Sequence, residues 1–140
     1  MTSRSTLLDT NVLSELLSPK GDPKVLAFVK SLANPLVSVV VFHELAYGVE
    51  VMPAGIKRAR LSAGIETFRN RFLGRMVAID IEIAEIAGRL RAGEARSGFA
   101  LDAPDAFVAA SALTVSARLA TRNIGHFERL GIELVNPWTG

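Results

Sequence analysis

An α/β domain built on a mostly parallel sheet is the fold class that this sequence predicts, and three observations carry it. Short apolar or β-branched runs alternate with longer segments of helical periodicity, and parallel strands need such crossover helices. The chain has 140 residues, about one domain's length, and 49% of them are hydrophobic, enough for a sizeable core. No repeat, low-complexity tract or linker interrupts the sequence, so a single domain over 1–140 is expected.

Taken in order, residues 5–8 ("STLL") read as a short buried strand. Thr10 and Asn11 open a helix that runs to about Ser18 and is stopped by Pro19 and Gly21. Asp22 and Pro23 restart a helix as N-cap and first residue, "KVLAFVKSL" has apolar positions at helical spacing, and Asn34-Pro35 ends it. "LVSVVV" (36–41) is the clearest strand because it is rich in β-branched residues. "FHELAYGVEVM" (42–52) is helical up to Pro53 and Gly55. A longer helix over 56–75 sets Leu61, Ile65, Phe68 and Phe72 on one side. "MVAI" (76–79) is a third strand, and Asp80 caps a helix that ends at Gly98. Pro104 opens a further helix, "DAFVAASALTVSA" (105–117). "RLAT" (118–121) is a short strand, "GHFERLG" (125–131) a helical turn or two, and "IELV" (132–135) the last strand.

Composition narrows the function classes. With no cysteine, disulfides, thiolate chemistry and zinc–sulfur sites are excluded, and a reducing cytoplasm is the default location. "MTSRSTLLDT" lacks the apolar core of a signal peptide. The longest apolar candidate, "PLVSVVVF" (35–42), is of strand length, so no membrane span is expected. Net charge is only +2. Lys57, Arg58, Arg60, Arg69, Arg71 and Arg75 nevertheless share one segment with a single acid, Glu66. That segment reads either as an RNA- or phosphate-facing surface, with Lys57, Arg58 and Arg60 foremost, or as the solvated side of a helix.

The informative polar residues fall at strand ends. Asp9 follows the first strand, Glu44 the second at the first turn of the next helix, and Asn123 the fourth, while Asp105 directly follows Pro104. In open parallel sheets, ligands bind at the carboxyl ends of strands near a switch in strand order. Each acid alone also reads as a helix cap or a favourable charge at a helix start. Glu44 and Asp105, however, lie in apolar surroundings ("VFHELAYG" and "APDAFVAASAL") with few cations nearby. Acids are rarely buried without a partner, and a hard divalent cation would supply one.

"LLDTNVLSEL", "HELAYGVE", "DAFVAASAL" and "LATRNIGHFERLGIELVNPW", in this order and spacing, resemble the PIN-domain ribonucleases of the VapC toxin type, in the FitB-like branch. The resemblance spans residues 5–138 and implies a three-layer α/β/α sandwich. It further implies that Asp9, Glu44 and Asp105 are the catalytic acids that bind Mg²⁺ or Mn²⁺. Asp9 and Asp105 are then direct ligands, and Glu44 either binds metal or orients the attacking water. A fourth polar position, often Asp in the family, falls on the neutral Asn123, supported by Thr10, Asn11 and Thr121. His126 stands before Phe127 where the family often has Asp.

The same resemblance implies a toxin that hydrolyses RNA with metal-activated water. It implies a cognate antitoxin that lies across the active-site groove and inserts an Arg among the acids. Homodimers or larger toxin–antitoxin assemblies follow, with operator DNA reached only through the antitoxin.

Rival chemistries fit less well. Paired-histidine catalysis has only His43 and His126 to draw on, and His43 points roughly 100° away from Glu44 on a helix. An aspartate-nucleophile phosphatase needs a second Asp two residues after the first, where this chain has Asn11. Nucleotide-binding glycine motifs are absent. The remaining alternative is a weak or inactive PIN-like module that works through protein binding, a reading kept open by Asn123.

Overall fold

A computed structural model describes residues 4–140. Five strands, β1 (Thr6–Leu8), β2 (Pro35–Ser38), β3 (Met76–Val77), β4 (Arg118–Ala120) and β5 (Leu134–Val135), form one sheet in the order β3-β2-β1-β4-β5. Every pairing among the described residues is parallel, with Thr6 opposite Pro35 on one side and Arg118 on the other. The helices are α1 (Thr10–Leu17), α2 (Pro23–Ser31), α3 (Val40–Glu50), α4 (Ile56–Arg71), α5 (Ile81–Arg96), α6 (Ala103–Thr114) and α7 (Ile124–Phe127).

The pleat decides the layers. Leu7 and Leu119 point into a core closed by Ile83 and Ala87 of α5, Ala106 and Val108 of α6 and Phe127 of α7. Leu8, Val37 and Ala120 point the other way, against Val12 of α1, Val25 of α2, Val41 of α3 and Ile65 and Phe68 of α4. Side chains that alternate to two apolar faces require helices on both, which makes the three-layer α/β/α sandwich. All three residues of β1 are fully buried, as befits its central place.

Several boundaries differ from the sequence reading. The helix expected over 56–75 ends at Arg71, leaving Phe72 as its C-cap. The strands expected over 76–79 and 132–135 shrink to Met76–Val77 and Leu134–Val135, and the helix expected over 105–117 ends at Thr114. Two further differences bear on the site. The second strand ends at Ser38, and Val40 and Val41 belong to α3. Intrinsic β-propensity is overridden here because Val41, as a helical residue, is wholly buried in the core. Glu44 therefore sits one turn into α3 rather than in its first turn. The other difference is at α6, where Asp102, not Pro104, sets the start: its carboxylate accepts the N–H of Asp105 at 2.9 Å. Helix α5 leaves through Gly98 at φ 85°, a conformation that favours glycine.

Candidate active site

The strand order reverses between β1 and β4, so the carboxyl ends of these neighbours form the crevice where open α/β sheets place ligands. Asp9 ends β1 and Thr121 follows β4. The Asp9 N–H donates to Ala120 O at 3.0 Å and the Thr121 N–H to Val135 O at 3.0 Å, so sheet hydrogen bonding continues into the site.

Asp9 is buried and richly held. Its Oδ1 accepts the Thr10 N–H at 2.8 Å, and its Oδ2 accepts the Thr121 hydroxyl at 2.8 Å and the Asn11 amide at 3.3 Å. It thus caps α1 while facing the crevice. Thr121 Oγ1 also accepts from Asn11 Nδ2 at 3.4 Å and from the Asn123 N–H at 3.0 Å. Glu44 joins through Thr10, whose hydroxyl donates to Glu44 Oε1 at 2.9 Å. Asp105 reaches in from the first turn of α6. Its own N–H is already taken by Asp102, which leaves the Asp105 side chain free of capping duty.

Asp9, Glu44, Asp105, Thr10, Asn11 and Asn123 line one open cleft of about 440 Å³. Asp102 is not among its lining residues, and neither are Lys57, Arg58 and Arg60. Arg58 instead pairs with Glu50 at 2.8 Å beside the start of α4. Arg122 and Trp138 do line the cleft, and sequence reasoning missed both, although Arg122 stands between two residues it singled out.

The electrostatics are one-sided. Burial raises the carboxyl of Asp9 above its ordinary value, against the opposing hydrogen bonds from Thr121 and Thr10. Burial likewise raises Glu44, helped by the charges of Asp9 and Asp102 and opposed by Thr10. Asp105 is pushed up to about 6 by burial and then by Asp102, with His126 opposing. No Lys or Arg pairs with any of the three among the described residues. His126 Nδ1 lies 2.9 Å from Asp105 Oδ2, a contact that no local sequence signal announces.

Three acids whose ionised forms are disfavoured, facing one open cleft, suit a divalent cation. They do not form a closed cage, since no three carboxylate or imidazole groups among the described residues make a ready ligand cluster. The donor set therefore fits a hard ion such as Mg²⁺, which keeps several waters and needs only one or two carboxylates.

Comparison with known proteins agrees with this architecture. The PIN domain family matches residues 6–133. The toxin FitB of Neisseria gonorrhoeae is 33% identical over 135 residues, covering 94% of this chain and 97% of that protein. The VapC ribonuclease Y4jK of Sinorhizobium fredii is 31% identical over 135 residues, covering 94% of this chain and 96% of its own. The crystal structure of FitAcB from Neisseria gonorrhoeae superposes with a TM-score of 0.86 at 33% identity, over 95% of this chain and 98% of that one. Toxin–antitoxin complexes, some of them bound to DNA, are further structural neighbours.

Proposed function

The chain belongs to the PIN-domain family, and from that premise we propose that it is a metal-dependent endoribonuclease, the toxin of a toxin–antitoxin pair. The observation that carries the reading is the gathering of Asp9, Glu44 and Asp105 on one cleft at the β1/β4 switch point. Relatives named as a VapC ribonuclease and a toxin support it.

Asp9 and Asp105 would hold Mg²⁺ or Mn²⁺, and Glu44 would either join them or face the attacking water. When bound, such an ion activates water and neutralises charge developing on the phosphate. Asp9 is kept in one rotamer by Thr121, Thr10 and Asn11, so its oxygens are placed before anything binds. Glu44 Oε1 is held by Thr10, which leaves Oε2 to accept a proton from water. Its raised carboxyl makes it a better base than an exposed glutamate. Asn123 offers a neutral amide where the family often has a fourth acid, so it orients water rather than adding charge.

A cognate antitoxin is the proposed partner, supported by the likeness to toxin–antitoxin complexes. Its segment would lie across the acidic cleft and insert an Arg, and operator DNA would be reached only through it. A homodimer, alone or within a larger toxin–antitoxin assembly, completes the proposal. A second reading, a weak or inactive module that acts by binding protein, is favoured by two observations: His126 occupies an oxygen of Asp105, and Asn123 is neutral.

Cleavage of a mixed RNA pool by the antitoxin-free protein separates the two. The nuclease reading expects cleavage that needs Mg²⁺ or Mn²⁺, stops with EDTA and disappears in Asp9→Asn. A folded wild type that cuts none of many RNAs selects the binding module.

A further inference from the structure

Arg122 and Trp138 form a pair on the cleft wall that the roles above leave unused. The Arg122 guanidinium carbon lies 5.0 Å from the centroid of the Trp138 ring, within cation–π range. Arg122 is the one cation among the residues lining the cleft, and it makes no ion pair among the described residues.

Both partners are fixed from behind. The Arg122 N–H donates to Asn11 Oδ1 at 3.3 Å, tying its main chain to the network around Asp9. The Trp138 main-chain N–H donates to Asn136 Oδ1 at 2.9 Å, and the half-buried indole packs against the core beneath α1–α4. An exposed arginine ordinarily samples many rotamers; laid on an indole it keeps few. A guanidinium so held presents its N–H edge to a phosphate and its plane to an unstacked base. A duplex keeps its bases stacked and offers only the first contact.

The cleft also needs such a group. Its carboxylates repel a polyanion, and a cation on the same wall offsets that repulsion where the strand must pass. We propose that Arg122 grips a phosphate of single-stranded RNA beside the scissile bond, with Trp138 as the residue that positions it. The proposal rests on the ribonuclease reading and assigns to it the residue that holds the substrate's phosphate.

Trp138 is the chain's one tryptophan, so its emission reports on the site without a label. The test titrates the purified protein, in EDTA, with a short labelled RNA strand and with the same strand annealed to its complement, reading tryptophan emission and RNA anisotropy across a salt series. The single strand should shift the emission and bind more tightly than the duplex. Arg122→Ala should weaken binding by about tenfold and lower the log–log salt slope by about 0.7, one phosphate contact on a single strand. Trp138→Ala should behave the same way, and Trp138→Phe should recover most of the loss. In the cleavage assay, Arg122→Ala should raise KM and leave kcat nearly unchanged.

Wild-type affinity and salt slope in both alanine variants overturn the proposal, as does an absence of binding by the wild type. Variants that lose only antitoxin binding also overturn it, since the pair would then serve a protein partner. Binding is read without turnover, so it can follow these expectations while cleavage fails, which would sink the nuclease reading alone.

Discussion

Oδ2 of Asp105 lies 2.9 Å from Nδ1 of His126, joining the first turn of α6 to α7 across 21 residues of sequence. Burial and the Asp102 charge push Asp105 up to about 6, and His126 works against both. Removing that imidazole, as in His126→Ala, should therefore raise the Asp105 carboxyl above its wild-type titration point. Carbon-detected NMR of the carboxyl across pH 4–8 (an approximate window around that value) reads this directly, and a downward move would contradict it.

Asp105 should also make the metal-free protein less stable at neutral pH. Its folded value of about 6 lies above the ordinary 3.8, so between these points the native state binds more protons than the unfolded chain. Stability contributed by this group is present below the lower value and is lost as pH rises through the upper one. Asp105→Asn removes that loss. Its stability relative to wild type should improve from acid to neutral pH, as measured by urea unfolding in EDTA. An advantage that instead grows on acidification would refute the assignment.

Thr121 is wholly buried, donates to Asp9 and accepts from Asn11 and the Asn123 N–H. Thr121→Val keeps the shape and strands those groups, so it should destabilise by about 1–3 kcal/mol. Urea unfolding in EDTA checks the number, and a neutral effect would mean that the network contributes little to the fold.

Thr10 links Asp9 to Glu44, through its N–H to the first and its hydroxyl to the second. Thr10→Val keeps the N–H and loses the hydroxyl, so kcat should fall on the order of tenfold, the usual effect of a lost supporting contact. Thr10→Ser should restore it. If serine and valine are equally impaired, the hydroxyl is not what holds Glu44.

Much of this site was legible in the sequence because strand ends can be read from it. Asp9 follows a short apolar run, Asn123 another, and Glu44 and Asp105 sit in helices too apolar to hold an acid idly. What escaped depended on distance or on competition between local signals. His126 meets Asp105 only because α7 folds back beside α6, and Trp138 enters the cleft from the end of the chain. Val40 and Val41 carry strand propensity, yet the depth of the core draws them into α3 and moves Glu44 a turn along its helix. Asp102 carries no role in the sequence reading, which starts the helix at Pro104, and the structure uses its carboxylate to cap α6 through the Asp105 N–H.

The central claim is that the cleft acids hold a divalent ion, and Mn²⁺ binding followed by electron paramagnetic resonance tests it most directly. Wild type at neutral pH should take up at least one Mn²⁺, and Asp9→Asn should bind it at least about tenfold more weakly, by loss of a charged ligand. Equal binding by the two proteins would contradict the account and move the ion, if any, away from this cleft.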